Sequence, residues 1–156
     1  MSLRAVFSVP TMFSAAAVIG LACAGPGAAQ TADASRADMS MPVSSLAQAV
    51  RKGADIFAHE SFGGAGACET CHSNGGRTAG KAPNGAPIPS LVGAAADFPK
   101  YSARSQTVIT LSQQMARCIA GALHGNPPAF GSPELVSLEA YLTSLSKGAV
   151  MGKQFE

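Results

Sequence analysis

Several residue types that common enzyme classes depend on are scarce or missing in this chain. Tryptophan is absent, there are three histidines, and charged residues make up only 13% of the sequence. No Ser/His/Asp arrangement, phosphate-binding glycine loop or pair of catalytic carboxylates can be recognised. The formal net charge of +2 favours neither a nucleic acid nor a strongly acidic partner. The sequence therefore offers little for hydrolysis, nucleotide chemistry or nucleic-acid binding.

One short stretch concentrates the reactive side chains. It is Cys68-Glu69-Thr70-Cys71-His72, which reads C-x-x-C-H. Two thiols at this spacing can each form a thioether to one edge of a porphyrin, and the histidine that follows is then placed to be the proximal iron ligand. A bare C-x-x-C would leave zinc or a dithiol redox pair open, but zinc needs two further ligands and no second cysteine or histidine pair exists. The motif predicts one covalent haem c, held by Cys68, Cys71 and His72.

The rest of the composition suits a single small domain. The chain has 156 residues, 47% of them hydrophobic, and its 17 glycines and 10 prolines favour a fold rich in loops. A domain of this size buries a modest core, and a covalent haem would supply much of the missing apolar contact.

The first 29 residues resemble a secretory signal. Arg4 is the positive start, residues 5–24 are mostly apolar, and the small residues 27–29 provide a cleavage site. We therefore expect export to the periplasm. Two alternatives remain open, which are an uncleaved segment that anchors the protein in the membrane and lipidation at Cys23.

Helical spacing of apolar residues organises the remainder. Residues 30–43 are predicted to be a flexible lead-in, 44–148 the folded domain, and 149–156 a loose tail. Helices are predicted at 44–60, with Ser44 or Ser45 as cap, at 110–123, where Thr110 and Gln113 form a capping-box pattern, and at 132–148, with Ser132 as cap. A short helix is predicted in 94–99 and a loop over 73–89.

Two of these helices carry a family resemblance. Gly53-Ala54-Asp55-Ile56-Phe57 and Leu138-Glu139-Ala140-Tyr141-Leu142 resemble the N-terminal and C-terminal helices of class I cytochromes c. The resemblance implies an all-α class I cytochrome c fold, in which a single haem is wrapped by about four short helices and loops. It also implies that Gly53 packs against Tyr141 and that the carbonyl of Pro89 accepts a hydrogen bond from His72.

A narrower resemblance lies in the second half. Residues 111–118, 125–128, 131–135 and 138–142 are similar to the haem domains of the Sox-type thiosulfate-oxidising cytochrome A subunit and of thiosulfate dehydrogenase. In those families a cysteine on this helix can be the distal haem ligand, and Cys118 occupies the matching position. Those proteins usually carry two haem domains, whereas this chain has one C-x-x-C-H.

The residues themselves leave the distal ligand open. Cys118 would remain without a cysteine partner in the mature chain, while Met115 or Met151 would give the His/Met ligation of ordinary class I cytochromes. Met115 and Cys118 are three residues apart on one predicted helix, so both can face the haem. His124 or an open site is the remaining alternative.

Two functions follow from this choice. The first is a periplasmic electron carrier linked to sulfur-compound oxidation, which exchanges electrons with a redox partner protein such as a second haem protein. The alternative is the catalytic haem subunit of a thiosulfate-oxidising enzyme, in which Cys118 is the catalytic residue and thiosulfate or another sulfur anion binds. A thiolate ligand lowers the reduction potential of the haem and a thioether raises it. The identity of the distal ligand therefore helps to distinguish the two functions.

Overall fold

The computed structural model describes residues 43–151, and these contain three α-helices. The predicted signal, nearly all of the lead-in and the end of the tail lie outside this range. Within it, no helix has the length and apolar character needed to cross a membrane. The helices are α1 (Leu46–His59), α2 (Leu111–Gly121) and α3 (Pro133–Ser144). Two 3₁₀ helices (Cys68–Thr70 and Ala94–Asp97) and four short strands, β1 (Gly80–Lys81), β2 (Pro87–Ile88), β3 (Lys100–Ser102) and β4 (Thr107–Ile109), complete the order.

Each helix begins at a side-chain cap that the sequence predicts. The hydroxyl of Ser45 accepts a hydrogen bond from the backbone of Gln48 at the start of α1. Thr110 and Gln113 form a reciprocal capping box at α2, and Ser132 caps α3. The three main helices are therefore confirmed to within two or three residues at each end, apart from the last turn predicted for α3.

The crossing of α1 over α3 depends on a glycine. A Cβ atom on Gly53 would overlap the carbonyl oxygen of Ser137 and would lie 2.7 Å from Cβ of Tyr141. Only glycine lets the two backbones approach this closely. The predicted contact between Gly53 and Tyr141 is confirmed, and the backbone of Ser137 is even nearer.

The hydrophobic core gathers around this crossing. Ile56 and Phe57 of α1 and Leu135 and Leu138 of α3 are at most 2% exposed. Ile109 and Ile119 join them from β4 and α2, each 1% exposed. The core thus joins α1 and α3 and holds α2 against them along its buried face.

The expectation of an all-α chain with about four helices is corrected. The loop predicted at 73–89 contains the antiparallel pair β1–β2, and the segment before α2 forms the antiparallel pair β3–β4. The predicted short helix is one 3₁₀ turn, Ala94–Asp97. Strands of two or three residues are too short to show a period-two pattern, so sequence periodicity could not reveal them.

Candidate haem-binding site

All three residues of the predicted attachment motif line one cavity. Cys68, Cys71 and His72 share a space of about 920 Å³. Cofactor and ligand sites typically enclose roughly 300–1,000 Å³ and are mostly apolar. Apolar side chains from all three helices and from the connecting loops form much of the wall, among them Phe57, Leu91, Phe98, Leu111, Ile119 and Leu138. The volume and the wall fit a large, flat, apolar cofactor.

A single tight turn arranges the motif. The backbone amides of Cys71 and His72 both donate to the carbonyl oxygen of Cys68, at 3.1 and 3.0 Å. The hairpin β1–β2 packs directly against this turn. The amide of Lys81 donates to the carbonyl oxygen of Cys71 at 3.0 Å, and a Cβ atom on Gly80 would overlap that same oxygen. The hairpin missed by sequence reasoning therefore holds the attachment turn from outside.

The histidine is prepared to bind a metal as a neutral ring. Burial lowers the pKa of His72 below its ordinary value of 6.5. The ring of Phe57 lies 6.3 Å away, centroid to centroid, at a tilt of 50°. Neutral imidazole is the metal-binding form. Proximal ligation by His72 is therefore chemically consistent with its surroundings.

One expected contact is not formed. Pro89 lines the cavity, but Nδ1 of His72 is buried and has no hydrogen-bond partner. The hydrogen bond to the Pro89 carbonyl that the class I resemblance implies is therefore absent from this structure. The buried, unpaired nitrogen leaves the orientation of the imidazole to packing against Phe57.

The thiols are in the form that thioether formation requires. Cys68, Cys71 and Cys118, which are the cysteines of the described residues, are all free. Burial raises the pKa of Cys68 to about 12, and the nearby Cys118 adds a smaller effect in the same direction. Two free thiols on the attachment turn and a third facing the same cavity form a donor set that fits a covalently held haem.

Two of the predicted distal candidates lie in the haem cavity, and Met151 does not. Cys118 and Met115 both line the cavity, as do Leu111 and Ala122, so the face predicted for this helix is confirmed. Met115 is 5% exposed and belongs to the core, whereas Cys118 is exposed. Met151 is 71% exposed and lines a neighbouring cavity of about 360 Å³ instead.

The two remaining histidines lie outside the cavity wall. His124 follows the end of α2 with a φ of 55° and is exposed. His59 ends α1, where its Nδ1 lies 3.1 Å from a carboxylate oxygen of Asp55. His59 therefore lies on the surface, and the structure does not bring His124 to the site.

Sequence reasoning missed the contact that anchors the loop after the motif. The hydroxyl of Tyr141 donates to the carbonyl oxygen of Gly75 at 2.7 Å. The amide of Gly75 donates to the carboxylate of Glu69 at 3.0 Å, inside the motif itself. Burial raises the pKa of Tyr141, so the phenol stays protonated and able to donate. Helix α3 thereby fixes the attachment turn as well as the core.

Comparison with known proteins decides the family. The profile described as "SoxA/TsdA, cytochrome c domain" matches residues 52–151. The chain belongs to this family. It is a class I c-type cytochrome domain, and it carries haem c covalently.

Two curated relatives support the family assignment, and this chain matches only part of the length of each. The chain is 37% identical over 86 residues to a thiosulfate dehydrogenase of Allochromatium vinosum, covering 55% of this chain and 31% of the relative. It is 31% identical over 117 residues to a thiosulfate dehydrogenase of Thiomonas intermedia, covering 71% of this chain and 35% of the relative. The chain thus spans about a third of the length of these curated relatives.

A solved structure supports the fold. "Thiosulfate dehydrogenase (TsdBA)" of Marichromatium purpuratum, in its as-isolated form, superposes with a TM-score of 0.58 at 24% identity. The match covers 73% of this chain and 26% of the other. At this identity the likeness establishes a cytochrome c fold.

Proposed function

We propose that the protein is a periplasmic electron carrier with a single haem c, linked to the oxidation of sulfur compounds. The observation that carries the proposal is that the C-x-x-C-H turn and Cys118 face one largely apolar cavity. The relatives named thiosulfate dehydrogenase support the link to sulfur chemistry. The single C-x-x-C-H supports one haem, and the apolar start of the sequence with its small-residue cleavage site supports export.

The residues would share the work as follows. Cys68 and Cys71 would form the two thioethers, and the neutral ring of His72 would donate to the iron. When bound, the haem supplies a one-electron ferric/ferrous couple. The apolar wall would keep water from most of the haem. This lowers the dielectric constant around the iron and so influences its reduction potential. Tyr141 and the β1–β2 hairpin keep the attachment turn in place during each electron transfer.

Cys118 is the distal ligand that we propose. It is a free thiol on the cavity wall, and its charge would act on the thiol of Cys68 in the same cavity. As a thiolate it would stabilise ferric iron and lower the potential, which suits a carrier that works with strongly reducing donors. Met115 is the alternative ligand because it lines the same cavity, although it is packed into the core.

A second candidate function is favoured by the exposure of Cys118. An exposed thiol in the cavity would be open to a small sulfur anion such as thiosulfate. The protein would then be the catalytic haem subunit of a thiosulfate-oxidising enzyme, with Cys118 as its catalytic residue and a second haem protein as electron acceptor. The carrier is preferred because no further catalytic cluster was recognised in the sequence.

Electron transfer and covalent attachment are tested with the purified holoprotein. The pyridine haemochrome should give one haem per chain, and acid acetone should extract no haem from the wild type. Exchanging both Cys68 and Cys71 for alanine should make the haem extractable, while the matched Cys118→Ala variant should keep it bound. A second haem per chain, or extractable haem in the wild type, would contradict the proposal.

Thiosulfate separates the two functions. A carrier should stay ferric when thiosulfate alone is added without oxygen, and should become ferrous when dithionite or a reduced partner follows. An enzyme should reduce its own haem with thiosulfate, and Cys118→Ala should abolish that reduction. The Soret and α bands report both outcomes directly.

A further inference from the structure

A side chain one helical turn before Cys118 touches its sulfur. Nε2 of Gln114 lies 3.3 Å from Sγ of Cys118, within hydrogen-bonding distance for a sulfur acceptor. Both residues line the haem cavity. Residues four apart on a helix lie one above the other on the same face, so the contact follows from the geometry of α2.

The backbone of α2 around Gln114 is held in place by neighbouring contacts. The backbone amide of Gln114 donates to the carbonyl of Thr110 at 3.0 Å, directly after the capping box that fixes the first turn of α2. The next residue, Met115, is anchored in the core at 5% exposure. The backbone that carries Gln114 is therefore held on both sides, and its side chain need only extend along the helix to reach the sulfur.

The chemistry of the pair points in one direction. A glutamine amide offers two N–H donors without a charge, whereas a sulfur can act here chiefly as an acceptor, and far better as a thiolate than as a thiol. A hydrogen bond to a thiolate draws electron density from the sulfur and fixes its direction. A thiolate that donates less to iron stabilises the ferric state less, so the hydrogen bond raises the potential.

We propose that Gln114 is a positioning residue that hydrogen-bonds the Cys118 thiolate, holds it towards the haem and raises the potential of the haem. This inference rests on the proposed function, since it takes Cys118 to be the distal ligand. It adds a residue that neither the motif nor the family resemblance indicates. Partners of this kind orient metal ligands and tune their basicity.

Two variants remove the donor in different ways. Gln114→Leu puts an apolar side chain of similar length in place of the amide. Gln114→Glu keeps the shape and the helix preference, but its ionised carboxylate can only accept hydrogen bonds and cannot donate one to the sulfur. Gln106→Glu makes the same charge change on the exposed turn between β3 and β4 and serves as the matched control. None of these positions belongs to the haem attachment motif.

The measurements are the midpoint potential by spectroelectrochemical titration and the low-spin EPR spectrum of the ferric holoprotein. Gln114→Leu and Gln114→Glu should both lower the potential and shift the low-spin g values, while Gln106→Glu should leave both unchanged. When Cys118→Ala is combined with Gln114→Leu, the second change should have no further effect on the potential. A residue that only supports the helix would not produce this dependence on Cys118.

The contrary outcomes are distinct. If Gln114→Leu keeps the wild-type potential and spectrum, or if its effect persists in the Cys118→Ala background, this inference is wrong while electron transfer stands. If Cys118→Ala leaves the spectrum unchanged, Cys118 is not the ligand and the inference fails for that reason. A holoprotein that cannot be cycled between ferric and ferrous states overturns the proposed function itself.

Discussion

Gly53→Ala tests the crossing of α1 and α3 on which the site depends. The new methyl group would overlap the backbone carbonyl of Ser137, which cannot rotate away, and would lie 2.7 Å from Cβ of Tyr141. Overpacking of a tight contact costs typically 1–3 kcal/mol, and a backbone clash belongs at or above the upper end of that range. The better helix propensity of alanine returns about 1 kcal/mol. We expect a net loss of roughly 2 kcal/mol or more in the free energy of unfolding.

A second glycine provides the matched control. A Cβ on Gly121, at the end of α2, would meet nothing within 4 Å, so Gly121→Ala should be neutral or stabilising by up to about 1 kcal/mol. Urea unfolding of the two holoprotein variants, followed by far-UV circular dichroism, measures the difference. A loss of about 2 kcal/mol corresponds to a fall in Tm of roughly 10 °C for a domain of this size. If both variants change stability in the same direction, the close crossing is not as described.

Three further predictions concern contacts around the site. Tyr141→Phe removes the hydrogen bond to Gly75 and should cost about 1–2 kcal/mol in urea unfolding. Because burial raises the folded-state pKa of Tyr141 above its ordinary 10.0, wild-type stability should be full below pH 10 and fall as the pH rises through the folded-state pKa; Tyr141→Phe should lack this loss. Leu138→Ala should cost about 2–5 kcal/mol in thermal unfolding, because Leu138 is 2% exposed and also lines the haem cavity. Thr110→Ala should cost about 0.5–2 kcal/mol by loss of the α2 capping box, measured by the same unfolding experiment.

Each of these predictions has an outcome that would contradict it. An alkaline loss of stability that survives in Tyr141→Phe would assign it to another group. A Leu138→Ala variant with wild-type stability would place Leu138 outside the core. For the cap, Ser105→Ala removes a hydroxyl on the exposed turn between β3 and β4, and an equal loss in both variants would show that the capping box is not the cause.

The features that could be predicted from the sequence are local ones. The C-x-x-C-H turn closes within five residues, and the caps at Ser45, Thr110 and Ser132 act over three. Helical periodicity then placed Met115 and Cys118 on one face, as the cavity wall shows. Such features need no knowledge of tertiary structure, which is why sequence reasoning reached them.

The features that escaped prediction depend on distant parts of the chain. Tyr141 and Gly75 are 66 residues apart, and their hydrogen bond joins α3 to the loop after the motif. The hairpin β1–β2 consists of two residues per strand, so it carries no recognisable pattern. The absent hydrogen bond of His72 is a matter of side-chain orientation, which spacing along the sequence cannot fix.

The identity of the distal ligand is tested most directly by low-temperature EPR and optical spectra of the ferric holoprotein beside Cys118→Ala. The account predicts a thiolate-type low-spin signal in the wild type that is lost in the variant, with Met115→Leu leaving the signal intact. Spectra of a His/Met haem that are unchanged in Cys118→Ala and altered in Met115→Leu would contradict it. Cys118 would then be a cavity-lining thiol only, and the protein an ordinary carrier with a methionine-ligated haem.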